Sequence, residues 1–253
     1  MTVAWKRPAE KLLEVVGLTV AYGQAEVVHE VSLEVRRGEF VVLLGRNGAG
    51  KTTILHAISG LIPKVSGSVN LSSKDITRAV PRNIVRDGVI QVLEGHRVFT
   101  HLSIEDNLLI GTYAKASSGD RSKLPRIYEL FPELADRKRS LASGLSGGQQ
   151  QILAVAQGII GDPQLLILDE PSGGLAPIVV DRILAVASKL CAEGVAVLLV
   201  EQLVEKAMRH ADYCYLIETG RVVGQGPVSE VRDAEMLRQV FLGGASHAQA
   251  ARR

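Results

Sequence analysis

The sequence predicts an α/β fold with a mixed, largely parallel core sheet, and two observations carry this prediction. In the second half of the chain, short aliphatic runs alternate with segments of helical periodicity. The runs lie at residues 165–168, 195–200 and 213–217, and the helical segments at 177–191 and 202–210. Such alternation favours a parallel sheet with helices on both faces. Second, the aliphatic run 40–44 leads into a glycine-rich segment and then a helical pattern, the order of a phosphate-binding unit.

Two further layers are expected around this core. Loosely alternating residues at 12–21 and 27–35 predict strands of an N-terminal antiparallel β-subdomain. Shorter elements follow, with strands at 67–71 and 89–93 and a helical piece at 81–87. From Ser103 onwards the pattern is helical, at 104–114, 124–130 and 147–160, with a loop at 116–120. We assign approximately residues 95–160 to an α-helical subdomain inserted in the core.

The turn and tail signals complete the outline. Thr219-Gly220-Arg221 predicts a hairpin turn between two strands. We expect a single domain over residues 12–243, with flexible tails at 1–11 and 244–253.

Composition excludes several classes of function. The 253-residue chain is 46% hydrophobic, carries a net charge of +2 and has only 4% aromatic residues. Neither a basic footprint nor an aromatic stacking surface for nucleic acid is expected. Apolar runs are strand-sized, below the ~20 residues that span a bilayer, and the N-terminus lacks the apolar core of a secretory signal. We therefore expect a cytoplasmic chain that reaches a membrane only through a partner.

The glycine-rich segment fits the phosphate-binding loop pattern of a glycine, four residues and Gly-Lys-Thr. Glycines let successive backbone N–H groups face phosphate oxygens, and the following helix N-terminus favours negative charge. Lys51 can reach the β- and γ-phosphates, and the Thr52 hydroxyl can ligate Mg²⁺. The predicted nucleotide-binding residues here are Gly45, Arg46, Asn47, Gly48, Ala49, Gly50, Lys51, Thr52 and Thr53.

Two carboxylates follow the aliphatic run 165–168. Asp169 would end a buried strand at the edge where open α/β sheets bind ligands, and would hold the Mg²⁺ shell together with Thr52. Glu170 would face the γ-phosphate and polarise the attacking water. Alone, two acids at a strand end could be a solvated loop. Beside a phosphate loop, they are the partner that phosphoryl transfer requires.

The segment Leu145-Ser146-Gly147-Gly148-Gln149-Gln150-Gln151 offers a second anion site at a helix start. Ser146 is a good N-cap, and the two glycines leave backbone N–H groups open. Together with the two preceding motifs, this segment resembles the signature of ATP-binding cassette (ABC) ATPases. The resemblance covers residues 12–243, with motifs in the family's order. It implies a P-loop NTPase fold, ATP and Mg²⁺ as cofactors, and Ser146, Gly147 and Gly148 closing over the ATP of another subunit.

Further positions follow from the resemblance. Tyr22 matches the aromatic that stacks on adenine, although an edge tyrosine is the alternative. Glu94 stands where most members have a glutamine that senses Mg²⁺ and the lytic water, and Gln202 where most have a histidine at the γ-phosphate. Ala176 replaces a usual aspartate. We place Glu94 and Gln202 with Glu170 in the catalytic set and Glu94 with Thr52 and Asp169 in the metal set.

The segments around these departures resemble one branch, the ATPase subunits of bacterial branched-chain amino-acid importers of the LivF type. The resemblance implies a second cassette, identical or a sister subunit, and transmembrane permease subunits, with no direct contact to the solute. An exposed Phe99 would then be a docking contact with the permease; a buried Phe99 is the alternative. Other ABC importers or exporters, for urea or lipopolysaccharide, and soluble non-transport ABC ATPases are the competing functions.

Overall fold

The computed structural model describes residue 7 and residues 10–95, 97–113 and 119–231. Its strands are β1 (Lys11–Tyr22), β2 (Ala25–Arg36), β3 (Phe40–Leu44), β4 (Ser66–Leu71), β5 (Lys74–Asp75), β6 (Val89–Val92), β7 (Leu165–Asp169), β8 (Ala196–Val200), β9 (Tyr213–Glu218) and β10 (Arg221–Pro227). Its helices are α1 (Lys51–Ile58), α2 (Pro81–Arg86), α3 (Ile104–Ile110), α4 (Leu124–Leu130), α5 (Pro132–Ala135), α6 (Gly147–Ile160), α7 (Pro177–Ala192), α8 (Val204–His210) and α9 (Val228–Val231).

The core is a six-stranded sheet in the order β10-β9-β3-β8-β7-β6. Strands β9, β3, β8, β7 and β6 run parallel, and β10 pairs antiparallel with β9 at the edge. Every residue of β3, β7 and β8 is buried, because both faces of the sheet are covered. Strands buried on both faces read as continuous aliphatic runs, which is why these three were visible in the sequence.

Alternate residues of each core strand belong to two separate hydrophobic clusters. Val42 of β3 packs in the cluster formed with helices α3 to α8, whereas its neighbour Val41 packs in the cluster formed with α1 and strands β1, β2 and β4. The side chains of a strand point alternately to opposite faces, so each face builds its own core. The carboxyl ends of the parallel strands stay free to form a ligand-binding edge.

Strands β2, β1, β4 and β5 form the second sheet, in that order and antiparallel throughout. Helices α3 to α6 fill the segment expected to be helical. The mixed, largely parallel core, the N-terminal antiparallel sheet and the helical insertion confirm the predicted fold class. The division into a single domain over 12–243, with the helical subdomain at about 95–160, stays a prediction.

The predicted tails are residues 1–11 and 244–253. Residues 244–253 lie outside the described residues. At the other end, β1 already begins at Lys11, and the Arg7 guanidinium forms ion pairs with Glu34 and Glu39, both at 2.8 Å. It also lies 3.7 Å from the ring centre of Tyr213. These contacts hold Arg7 against strands β2 and β9.

Of the helices in the described part of the chain, none combines the length and apolar character that crossing a bilayer requires.

Candidate nucleotide site

The phosphate loop spans the junction between β3, which ends at Leu44, and α1, which begins at Lys51. Gly48 and Gly50 have φ angles of 77° and 97°, a region that favours glycine. At Gly45 the constraint is space, because an added Cβ would lie 2.2 Å from the carbonyl oxygen of Ile217 in β9. The glycine pattern therefore follows from backbone conformation and from close packing against a neighbouring strand.

Lys51 is the first residue of α1, and its side chain is buried. Its Nζ donates hydrogen bonds to the carbonyl oxygens of Gly45 (2.9 Å) and Arg46 (3.0 Å). It also lies 3.9 Å from Oε1 of Glu170. Burial lowers the pKa of Lys51, and the charges of Glu170 and Asp169 oppose the shift. The loop thus holds a buried cation at the point where phosphate oxygens would bind.

Asp169 ends β7 with only 1% of its surface exposed. Its Oδ1 accepts a hydrogen bond from Oγ1 of Thr52 at 2.9 Å, which brings together residues from the two motifs. Burial raises the pKa of Asp169, whereas the bond from Thr52 and the nearby His56 lower it. The structure therefore brings together Thr52 and Asp169, the two residues that the sequence assigns to the metal with Glu94.

Two residues outside the site predicted from the sequence face the other oxygen of Asp169. Nε2 of Gln91 lies 3.5 Å from Oδ2, and Nε2 of His56 lies 3.7 Å from it. His56 follows Thr52 by four residues on α1, so both reach Asp169 from one helix face. Gln91 is a polar residue in the short parallel strand β6, opposite Ile167. A polar side chain inside a strand next to β7 was the signal available for it.

The oxygen atoms around Asp169 also match the ligand preference of Mg²⁺. The metal takes oxygen ligands and is commonly held by one or two protein carboxylates plus phosphates. The Thr52 hydroxyl and the Asp169 carboxylate meet here, and Oε1 of Gln91 is buried without a hydrogen-bond partner among the described residues. This donor set suits a hard cation. Thr52 and Asp169 are the residues that would hold it, and when bound it would neutralise phosphate charge.

Glu170 follows β7 in an unusual backbone conformation, with a φ of 44°. Its N–H donates to the carbonyl oxygen of Val200 at 3.0 Å, which fixes the chain as it leaves the sheet. The side chain is mostly buried, with Oε1 near Lys51 and Oε2 accepting a hydrogen bond from Nε2 of Gln202. Two residues placed in the catalytic set thus touch each other at the strand ends.

Glu94, the third residue of that set, is exposed and follows β6 by two residues. Its backbone oxygen accepts from Nε of Arg97 at 3.1 Å. Its negative charge adds a small upward contribution to the pKa of Asp169. Gln91, three positions earlier, reaches that carboxylate, with its Nε2 3.5 Å from Oδ2. A role for Glu94 at the metal stays a prediction.

Tyr22 is the last residue of β1 and is 52% exposed. Tyr22 leads into the hairpin between β1 and β2. In β2, the carbonyl oxygen of Val27 lies close to the phosphate loop, 3.2 Å from the position that a Cβ on Gly50 would occupy. The ring is therefore accessible on the strand pair that borders the loop. Stacking on adenine stays a prediction.

The signature segment begins helix α6 through a reciprocal cap. The N–H of Gln149 donates to Oγ of Ser146, and the N–H of Ser146 donates to Oε1 of Gln149. Ser146 and Gly147 are exposed. The cap satisfies one donor of the first turn with protein, and it leaves the helix N-terminus facing outwards. An exposed, capped helix start can receive an anion from outside the chain.

Comparison with known proteins agrees with this geometry. Residues 28–173 match the family described as ABC transporter. The high-affinity branched-chain amino acid transport ATP-binding protein BraG of Pseudomonas aeruginosa is 38% identical over 88% of this chain and 96% of its own length. The probable branched-chain amino acid transport ATP-binding protein LivF of Archaeoglobus fulgidus is 31% identical over 92% and 99%. The lipopolysaccharide export system ATP-binding protein LptB of Escherichia coli K12 is 30% identical over 89% and 95%.

Solved structures share the fold. An ATP-binding cassette of an ABC transporter in its ADP conformation superimposes with a TM-score of 0.82 at 21% identity, covering 93% of this chain and all of the other. A structure described as an ATP-binding subunit of an ABC transporter gives 0.78 at 29% identity, covering 92% and 95%.

Proposed function

Since this chain belongs to the ABC transporter family of ATP-binding, ATP-hydrolysing cassettes, we propose that it is the motor subunit of an importer for branched-chain or other hydrophobic amino acids. The observation that carries the solute class is the 38% identity to BraG across most of both chains. LptB, the exporter-type relative, is 30% identical over a similar span. Nothing in the cassette itself contacts the solute in this proposal, because permease subunits would select it.

The site supports one assignment of roles. Lys51 and the loop amides bind the β- and γ-phosphates of ATP, and Thr52 and Asp169 would hold Mg²⁺. Glu170 accepts a proton from the attacking water, a step that contributes typically ~10²–10⁴-fold when the base is well placed. Gln202 donates to Oε2 of Glu170 and so keeps that carboxylate directed. The signature at Ser146 closes over the nucleotide of a second cassette, and the outward-facing start of α6 supports this role.

A groove beside Phe99 supports docking to a membrane permease. Phe99 is 53% exposed, and it borders a groove of about 280 Å³ lined also by Arg97, Val85 and Ile110. An apolar ring held in the open at the edge of a groove favours a protein contact. We assign this groove to a cytoplasmic segment of the permease, which would keep the cassette at the inner face of the membrane.

A transport assay tests the proposal. Deletion of the gene is expected to abolish uptake of radiolabelled leucine, and the parent gene should restore it. The Lys51→Ala gene should not restore uptake. Phe99→Ser should fail to restore uptake while its purified protein still binds ATP, and Leu61→Ser, another exposed apolar residue, should restore it. Unchanged leucine uptake with a defect in urea uptake or lipopolysaccharide export would contradict the proposed solute class.

A further inference from the structure

We propose that Glu201 is a positioning residue that ties the loop after Glu170 to the segment bearing Gln202, and thereby keeps those two side chains in contact. The inference rests on the proposed ATPase mechanism and deepens it, since Glu201 would act on hydrolysis through Gln202 and Glu170. It would touch neither nucleotide nor water itself.

The sheet places Glu201 directly after β8 and Glu170 directly after β7. These strands are parallel neighbours, and Asp169 pairs with Val200 at their last shared position. The two glutamates therefore leave adjacent strand ends at the same level. Glu170 is the proposed base, and Glu201 is fully buried, with 0% of its surface exposed.

The contacts of Glu201 converge on one oxygen. Oε1 accepts hydrogen bonds from the Ser172 hydroxyl and from the backbone N–H groups of Gln202 (3.0 Å) and Leu203 (3.2 Å). Oε2 is buried without a hydrogen-bond partner among the described residues. One carboxylate oxygen thus joins two loops that are about thirty residues apart in sequence.

A purely local role does not account for a buried glutamate at this position. Backbone N–H groups before a helix are usually satisfied by the shorter side chains of Ser, Thr, Asn or Asp. Burying a carboxylate with one unpaired oxygen costs free energy that Ser, Thr or Asn would avoid. What the longer glutamate adds is the reach to Ser172 in the neighbouring loop. The contact between the two loops is therefore what a glutamate at position 201 provides and a shorter capping residue would not.

The loop that receives this contact is otherwise joined by short-range backbone bonds. The Gly173 N–H donates to the carbonyl oxygen of Glu170 at 3.3 Å, and the Leu175 N–H donates to that of Ser172 at 3.0 Å. Leu175 also packs against the core, whereas Gly173 and Gly174 are exposed. Without the Ser172 hydroxyl, the loop after Glu170 would lose its hydrogen bond to Glu201, next to Gln202. The hydrogen bond from Gln202 to Glu170 requires both segments in place, so its geometry depends on Glu201.

The variant Ser172→Ala tests the contact between the two loops. It removes the hydroxyl donor and leaves the Glu201 carboxylate with its two backbone hydrogen bonds. It is expected to lower kcat for ATP about tenfold, the scale of losing one hydrogen bond to a charged group, and to leave ATP affinity unchanged. Ser172→Thr, which keeps the hydroxyl, should restore most of the rate. Ser188→Ala removes a hydroxyl bonded to His210 on another face and should have no effect. A parent-like kcat in Ser172→Ala would overturn the proposal.

A double-mutant cycle separates positioning from general support. In a Gln202→Ala background, Ser172→Ala should cause no further fall in kcat, because its effect travels through Gln202. The same tenfold loss in both backgrounds would overturn the inference. If the parent chain hydrolyses no ATP with its membrane partners, the proposed function fails instead.

Hydrogen exchange gives a readout that needs no turnover. Ser172→Ala should speed amide exchange in residues 170–176 and 201–203, with the melting temperature unchanged. Ser172→Thr should match the parent. Unaltered exchange in both segments of Ser172→Ala would also contradict the proposed tie.

Discussion

Gln202 donates a hydrogen bond from Nε2 to Oε2 of Glu170, across the ends of two adjacent parallel strands. The donor is a neutral amide, so it can direct the carboxylate without adding a titrating charge. In this chain, the contact depends on an amide whose charge does not change with pH.

Gln202→Glu should therefore disable hydrolysis while leaving the shape of the side chain almost unchanged. Two adjoining carboxyl groups cannot both ionise easily, and one pKa would rise. We expect kcat at neutral pH to fall ~10–100-fold, with ATP affinity nearly retained. Gln225→Glu, at an exposed position of β10, is the matched control. Equal rates for parent and Gln202→Glu would show that the contact with Glu170 has no part in catalysis.

Lys51→Ala should weaken ATP binding because it removes the buried cation of the phosphate loop. The expected loss of affinity is ~10–100-fold, measured by titration with a fluorescent ATP analogue. Lys64→Ala provides the comparison, since Lys64 also donates to a backbone carbonyl, that of Thr77 at 3.0 Å. Both variants should fold. Parent-like affinity in Lys51→Ala would refute the assignment of this loop to phosphate.

Ser146→Arg should block hydrolysis and spare ATP binding by the single chain. The substitution removes the cap of α6, which costs about 1 kcal/mol, and places a bulky side chain where a second cassette would dock. Ser103→Arg removes a comparable cap from α3, where the Asp106 N–H donates to Oγ at 3.0 Å. The control should keep its ATPase rate. A similar fall in both variants would trace the effect to helix stability alone.

Asp212→Asn should change the pH dependence of stability. Burial raises the pKa of Asp212, and its Oδ2 accepts a hydrogen bond from the Phe40 N–H at 2.9 Å. The folded chain thus binds this proton more tightly than the unfolded chain, so stability falls as pH rises through the shifted pKa. Asparagine keeps an acceptor and does not titrate. The melting temperature of the variant, relative to the parent, should be higher at about pH 7 than at about pH 4. The reverse trend would contradict the shift.

The sequence was most informative where structure follows from local pattern. Strands β3, β7 and β8 were predicted within one residue, because strands buried on both faces must be aliphatic throughout. Ser146 was expected to begin a helix, and α6 does begin at Gly147. The expected turn at 219–221 is a two-residue hairpin loop between Glu218 and Arg221.

Other features depended on contacts between distant segments and were beyond local pattern. Helix α8 begins at Val204, two residues later than expected, since the N–H groups of Gln202 and Leu203 donate to the Glu201 carboxylate. Helix α3 ends at Ile110 and not at Ala114. The following Gly111 packs so closely on α6 that an added Cβ would lie 2.2 Å from the Gln157 carbonyl oxygen.

The site shows the same division. Thr52 and Asp169 were both assigned to the metal because each belongs to a recognisable motif in the sequence, and the structure places them in contact. The approach of Gln91 and His56 to Asp169 was missed, since it requires the strand register and the helix face together. The contact between Glu201 and Ser172 was missed for the same reason, because it depends on β7 and β8 being neighbours in the sheet.

The ATPase rate of Glu170→Gln, measured beside its ATP affinity, tests the role of Glu170 as the base most directly. We expect turnover reduced by ~10²–10⁴-fold with ATP binding retained, because an amide cannot accept the proton of the attacking water. Glu218→Gln, at an exposed glutamate closing β9, should hydrolyse ATP like the parent. Hydrolysis by Glu170→Gln at the parent rate would contradict the assignment of Glu170 as the base.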